Sequence, residues 1–207
     1  MNIIHLSQDD PRYPPPLKIY LGDRAPAFIA ALGNLDILQH KTLALFCSVK
    51  CPGDLILQTY DLAHHLRRNG VTILGGFHSP MERECLTVLL RGTQPIILCS
   101  ARSIVGMQIR AEYRKPLIEG RLLFLSPFVE KQRRATVHMA LYRNQFVAAL
   151  ADQIFVAYAE PLSKTERFCR EILAWRKPLY TLESNANTNL ITLGAELVRL
   201  DTLAEWV

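Results

Sequence analysis

From Leu43 onward the chain alternates short apolar runs with longer amphipathic stretches. Leu43-Ala-Leu-Phe-Cys47, Val71-Thr-Ile-Leu74, Pro95 to Cys99, Leu122 to Leu125, Ile154 to Ala157 and Pro178 to Leu182 have strand length. Between them, Gly53 to Asn69, Pro80 to Leu90, Gly106 to Lys115 (stopped by Pro116), Thr136 to Leu150 and Glu166 to Trp175 have helical length and spacing. Strands alternating with helices through short joints imply an α/β, Rossmann-like, mostly parallel, doubly wound sheet with helices on both faces. Ligands of such sheets bind at the carboxyl ends of the strands. With 207 residues and 49% apolar content the chain suits one core. Residues 1–40, rich in proline at Asp10-Pro11-Arg12-Tyr13-Pro14-Pro15-Pro16, read as a weakly structured N-terminal extension, and 41–207 as the nucleotide- or nucleic-acid-binding domain. Leu190 to Val198 reads as an edge strand or a short helix.

Several classes are excluded or disfavoured. The longest apolar runs fall far short of the roughly 18 to 20 residues of a membrane span, and Asp9 and Asp10 stand where a leader would be basic and apolar, so a cytoplasmic protein is expected. The five cysteines are odd in number and lie in or beside apolar runs, which suits structural thiols in a reducing compartment. Cys47 and Cys51 form the one close pair, without further ligands at zinc spacing, and His64 and His65 would point about 100° apart on a helix, so no metal is expected. Neither G-x-G-x-x-G nor Walker A occurs, which argues against a dinucleotide cofactor, and none is expected.

Charge is uneven. The stretch from Arg102 to Arg143 holds nine basic residues against three acidic ones, a local +6 within a net +5 for the whole chain. That is either a solubilising face or the footprint of a polyphosphate or nucleic-acid ligand. Lys131, Arg133 and Arg134, in a loop after Ser126-Pro127-Phe128, are the candidate nucleic-acid contacts.

Three strand-to-helix joints are expected at one rim. In the first, Ser48 and Lys50 are candidate phosphate contacts or simply solvated. In the second, Gly75 and Gly76 allow close backbone approach or a tight turn, His78 reads as a loop contact, and Ser79-Pro80-Met81-Glu82 forms a capping box with proline at the first helical position. In the third, Ser163 and Glu166 form another capping box, so the backbone N–H groups from Ser163 through Lys164 and Thr165 face the loop mouth, where the helix dipole favours an anion. Arg143 and Asn144, on the preceding helix, suit a phosphate or base edge. An ordinary capped helix and a surface arginine are the plain alternative.

The order Asp10-Pro11-Arg12-Tyr13-Pro14 with Leu17, Gly33-Asn34-Leu35, a strand ending in Cys47-Ser48-Val49-Lys50, Leu74-Gly75-Gly76, and Arg143-Asn144 followed by Ala149-Leu150-Ala151-Asp152 resembles the DprA/Smf family of DNA-processing proteins over nearly the whole chain. The chain reads as a divergent, short member. Cys47-Ser48-Val49-Lys50 stands where that family has glycine-serine-arginine, and Phe77-His78-Ser79-Pro80-Met81-Glu82 replaces its glycine-isoleucine-aspartate stretch. The resemblance implies a Rossmann-like domain that binds single-stranded DNA in a basic pocket, forms a homodimer and helps load a RecA-type recombinase during DNA uptake or recombination.

A second resemblance is to LOG-like phosphoribohydrolases. Arg143 is similar to their catalytic arginine, while Ser163 and Glu166 are similar to the threonine and glutamate of their glycine-rich loop. Here Ala159-Glu160-Pro161-Leu162 replaces the paired glycines. That resemblance implies N-glycosidic cleavage of a nucleoside monophosphate, with Arg143 and Glu166 as the catalytic candidates. The expectation is binding of single-stranded nucleic acid or a nucleotide without catalysis, with a nucleotide-sensing interaction module as a further alternative.

Overall fold

The computed structural model describes residues 2–198. Its strands are β1 (Ile4–Ser7), β2 (Phe28–Gly33), β3 (Thr42–Phe46), β4 (Thr72–Gly75), β5 (Ile96–Cys99), β6 (Leu122–Ser126), β7 (Gln153–Val156), β8 (Leu179–Leu182) and β9 (Glu196–Val198). The helices are α1 (Pro15–Leu21), α2 (Gly53–Leu66), α3 (Pro80–Leu90), α4 (Ala111–Ile118), α5 (Val137–Leu150), α6 (Lys164–Ala174) and α7 (Thr188–Leu193). All nine strands join one sheet in the order β1-β2-β6-β5-β4-β3-β7-β8-β9. The seven strands from β6 to β9 are parallel, and β1 and β2 add an antiparallel edge. The α/β Rossmann-like class read from the sequence is the one observed.

Period-2 alternation divides each strand between two cores. Ala44 and Phe46 of β3 join Phe146, Val147, Phe168 and Ile172 under α5 and α6. Leu43 and Leu45 join Leu55, Leu62, Cys85 and Leu89 under α2 and α3. The central strands are buried on both faces, which explains their unbroken apolar runs.

Three expectations are corrected. Residues 1–40 are not weakly structured: β1 and β2 extend the sheet through β6, and Leu6, Leu17 and Ile29 are fully buried. Their prolines mark a helix start, with Pro14 at the N-cap of α1 and Pro15 opening it. The helix expected from Gly106 to Lys115 begins only at Ala111, because Gly106 turns the chain at φ +72°. It then runs through Pro116, whose buried ring and the neighbouring Leu117 pack inward against the penalty of the missing N–H. Leu190 to Val198, expected as either an edge strand or a short helix, is both in turn, the end of α7 and then β9, separated by Gly194 in the left-handed region. Among the described residues no helix is long and apolar enough to cross a membrane.

Candidate functional site

The three joints do meet at the carboxyl rim. The link between the first two is Glu82, in the first turn of α3, where Ser79 Oγ accepts from the Glu82 N–H at 3.3 Å. The Glu82 carboxylate accepts from the Cys47 N–H at 3.0 Å and from the His78 N–H at 2.7 Å, tying the ends of β3 and β4 together. The first and third joints are tied by Ser48, whose N–H donates to Tyr158 O at 2.9 Å and whose Oγ accepts from the Glu160 N–H at 3.1 Å. Ser48 and Ser79 thus form buried structural bonds, whereas Lys50 is exposed.

Arg143 sets the chemistry. It rises from α5 on one face of the sheet and crosses the strand ends, 5% exposed, so that a Cβ built on Gly76 would overlap its guanidinium. Its Nη1 donates to Cys99 O at the end of β5 at 3.2 Å, and its Nε donates to Asn144 Oδ1 at 2.8 Å. Nη2 takes no partner among the described residues. Burial pulls this guanidinium below its ordinary pKa, and the Glu82 charge opposes that shift. An anion offered to Nη2 would meet a donor whose guanidinium is already held in place by Cys99 O and Asn144 Oδ1.

The cleft beside Arg143 has a volume of about 940 Å³ and opens to solvent between α3, the loop after β5, and α4. Gly76 and His78 line it, and Arg83, Arg91, Arg102 and Arg110 ring it above an apolar floor that includes Leu90, Leu98 and Phe124. Arg110 has a partner in Glu112 at 3.7 Å, while Arg83, Arg91 and Arg102 form no ion pair among the described residues. The basic loop borders the cleft through Ala135, and its Gln132 O accepts from the Ser103 N–H at 2.8 Å. On that loop Arg133 bonds Glu130 at 3.1 Å, while Lys131 and Arg134 are exposed and without ion pairs among the described residues.

Of the residues singled out by sequence, Gly76, His78 and Arg143 share the cleft. Ser48, Lys50, Ser163, Lys164 and Thr165 do not line it, and Asn144 serves as an orienting acceptor for Arg143. Arg83 and Arg91 were missed; Arg83 lies on α3 and Arg91 caps its C-terminus, and both line the cleft.

The arginine and glutamate required by the phosphoribohydrolase alternative do not meet in this cleft. Glu166 accepts from the Leu162 N–H at 3.1 Å and from Asn189 Nδ2 at 2.9 Å, with Arg170 3.6 Å away. The expected capping geometry is present with one change. Ser163 Oγ accepts from the Glu166 N–H, but the carboxylate reaches Leu162 rather than Ser163, because Leu162 adopts φ +61° and turns its N–H inward.

The family of DNA recombination-mediator protein A matches residues 4–206. No curated protein matches the sequence. In three dimensions the chain is similar to DNA processing protein A from Streptococcus pneumoniae, with a TM-score of 0.80 and 21% identity over 99% of this chain and 75% of that one. It is similar to DNA processing protein A from Helicobacter pylori at TM-score 0.79 and 20% identity, over 100% of this chain and 95% of that one. The molybdenum cofactor carrier protein from Chlamydomonas reinhardtii is a more distant likeness, at TM-score 0.52 and 13% identity over 77% of this chain and 90% of that one.

Proposed function

Since the chain belongs to the DNA recombination-mediator protein A family, we propose that it binds single-stranded DNA through phosphate contacts along the arginine-ringed cleft at the carboxyl rim. The observation that carries this reading is the unpartnered Nη2 of buried Arg143 at a cleft with three unpaired arginines. Arg83, in the first turns of α3, and Arg91, the residue that caps its C-terminus, are eight residues apart, a separation of about 12 Å at the helical rise. A row of that length tracks a polymer backbone, whereas a single nucleotide would reach only part of it. The Helicobacter pylori relative binds single-stranded DNA, which supports the same ligand here. Free-nucleotide binding is the narrower version of this reading. A role in DNA uptake or recombination, a homodimer, a RecA-type recombinase as partner and a cytoplasmic location extend it on the strength of family membership.

The test is fluorescence anisotropy with a labelled oligo-dT, titrated at several salt concentrations. Affinity should fall steeply with salt, because displaced counterions drive binding. Arg143→Ala should weaken binding about tenfold or more, the effect of removing a charge-assisted donor. Failure of the native protein to bind at low salt would sink the proposal.

A further inference from the structure

The opposite rim of the sheet carries a second cavity, of about 670 Å³, that the DNA-binding proposal leaves unused. Thr42, Val71, Gln153 and Pro178 line it at or just before the starts of β3, β4, β7 and β8, which places it at the amino ends of these strands. No residue lines both this cavity and the Arg143 cleft. Its side walls are the chain entering α1, from Pro11 to Pro16, and the segment from Leu38 to Lys41 that leads out of the 3₁₀ turn Leu35–Gln39 into β3.

Three kinds of polar group share this lining. The first is cationic: Lys41 is exposed and forms no ion pair among the described residues, and Arg12, which Asp10 holds through Nε at 3.0 Å and Nη2 at 2.8 Å, keeps Nη1 free. The second is a fixed carboxylate. Asp152 Oδ2 accepts from the Thr42 N–H and from Thr42 Oγ1, each at 2.8 Å, while Oδ1 takes no partner among the described residues. The third is a pair of side-chain amides, on Gln39 and Gln153, that carry no hydrogen bond among the described residues although each has both donors and an acceptor. Leu38, Val71, Leu150 and the proline rings supply apolar surface between them.

That combination selects among ligands. An inorganic anion uses the cations alone, and a fatty or aromatic acid uses the cations and the apolar surface but gains nothing from Asp152, which repels it. A nucleotide uses every group: its phosphate meets Lys41 and Arg12, its ribose hydroxyls donate to Asp152 Oδ1, and its base lies on the apolar wall with its edge toward the two amides. The volume falls within the range of about 300–1,000 Å³ usual for small-molecule pockets. We propose that this amino-rim cavity is a binding site for a nucleoside monophosphate, separate from the arginine cleft. It does not depend on the DNA-binding function.

The experiment titrates the full chain with AMP, GMP, CMP and UMP by isothermal calorimetry. For whichever binds most tightly, the nucleoside, ribose 5-phosphate and inorganic phosphate should each bind at least about tenfold more weakly, because each lacks one set of contacts. Lys41→Ala, at an exposed position, should weaken nucleotide binding about tenfold, the scale of a charge-assisted donor. Arg143→Ala should leave it unchanged. Binding of none of the four at millimolar concentration overturns the proposal, as does equally tight binding of ribose 5-phosphate or inorganic phosphate. Dependence on Arg143 with indifference to Lys41 also overturns it, since the nucleotide then sits in the arginine cleft. If oligo-dT fails to bind the native protein, the function proposed above falls, and these titrations still decide whether the amino-rim site exists.

Discussion

The guanidinium of Arg143 occupies the space that a side chain at residue 76 would fill. Gly76 is not among the glycines with positive φ; the left-handed residue in this joint is Phe77, at φ +46°. The glycine is therefore required for the room it leaves to a side chain arriving from the opposite face of the sheet, and not for its backbone freedom.

Gly76→Ala should displace Arg143 from Cys99 O and weaken DNA binding about as much as Arg143→Ala, roughly tenfold. Because the overlapping atoms are the far end of a flexible side chain, the loss of stability should stay near 1 kcal/mol. The double substitution should be no worse in binding than Arg143→Ala alone. Additive losses in that cycle, read by anisotropy, would show that the two residues act separately.

On the basic loop, Arg134→Ala should weaken binding to all sequences alike and reduce the slope of log affinity against log salt by about 0.7, the value for one single-strand phosphate contact. Arg133→Ala should do less, because Arg133 already has Glu130 as a partner at 3.1 Å. Equal effects in salt titrations would contradict this ranking.

Lys177 is 6% exposed; its Nζ donates to Ala148 O and Ala149 O at 2.8 Å each and to Ala151 O, and it lies 4.0 Å from the centre of the Tyr20 ring. It closes the C-terminus of α5, the helix that carries Arg143. Lys177→Met should cost about 2–4 kcal/mol in urea unfolding by stranding buried carbonyls. The folded variant should keep its DNA affinity, since Lys177 lies outside the cleft.

Hydrogen bonding from Asn189, assisted by the Leu162 N–H and Arg170, holds the Glu166 carboxyl below its ordinary 4.5. The folded value lies under the unfolded one, so this stabilisation is fully present above 4.5 and is lost as pH falls through the lowered folded value. Glu166→Gln should therefore flatten the acid limb of thermal stability measured against pH while leaving DNA affinity at neutral pH unchanged. Incubation with the common nucleoside monophosphates should release no free base from the native protein. Turnover that vanished in Glu166→Gln would reverse the assignment of Glu166 as a cap.

Local chemistry was legible in the sequence. The buried strands follow from apolar runs of strand length, and the starts of α3 and α6 from Ser79 and Ser163 with glutamate three residues on, because capping and periodicity act over a few residues. Gly76 and Arg143 were each visible as candidates. Their contact was not, because it joins residues 67 positions apart across the edge of a sheet. The same limit hid the insertion of β1 and β2: no local pattern announces that an antiparallel pair from residues 4–33 will dock on β6, whose own run looks the same with or without a neighbour. The alternation of elements along the chain determined the sheet and its carboxyl rim. Which part of that rim became a cationic cleft was decided only when helix packing brought α3, α4 and α5 together around the strand ends, since long-range proximity of charge is a property of the packed fold and not of sequence spacing.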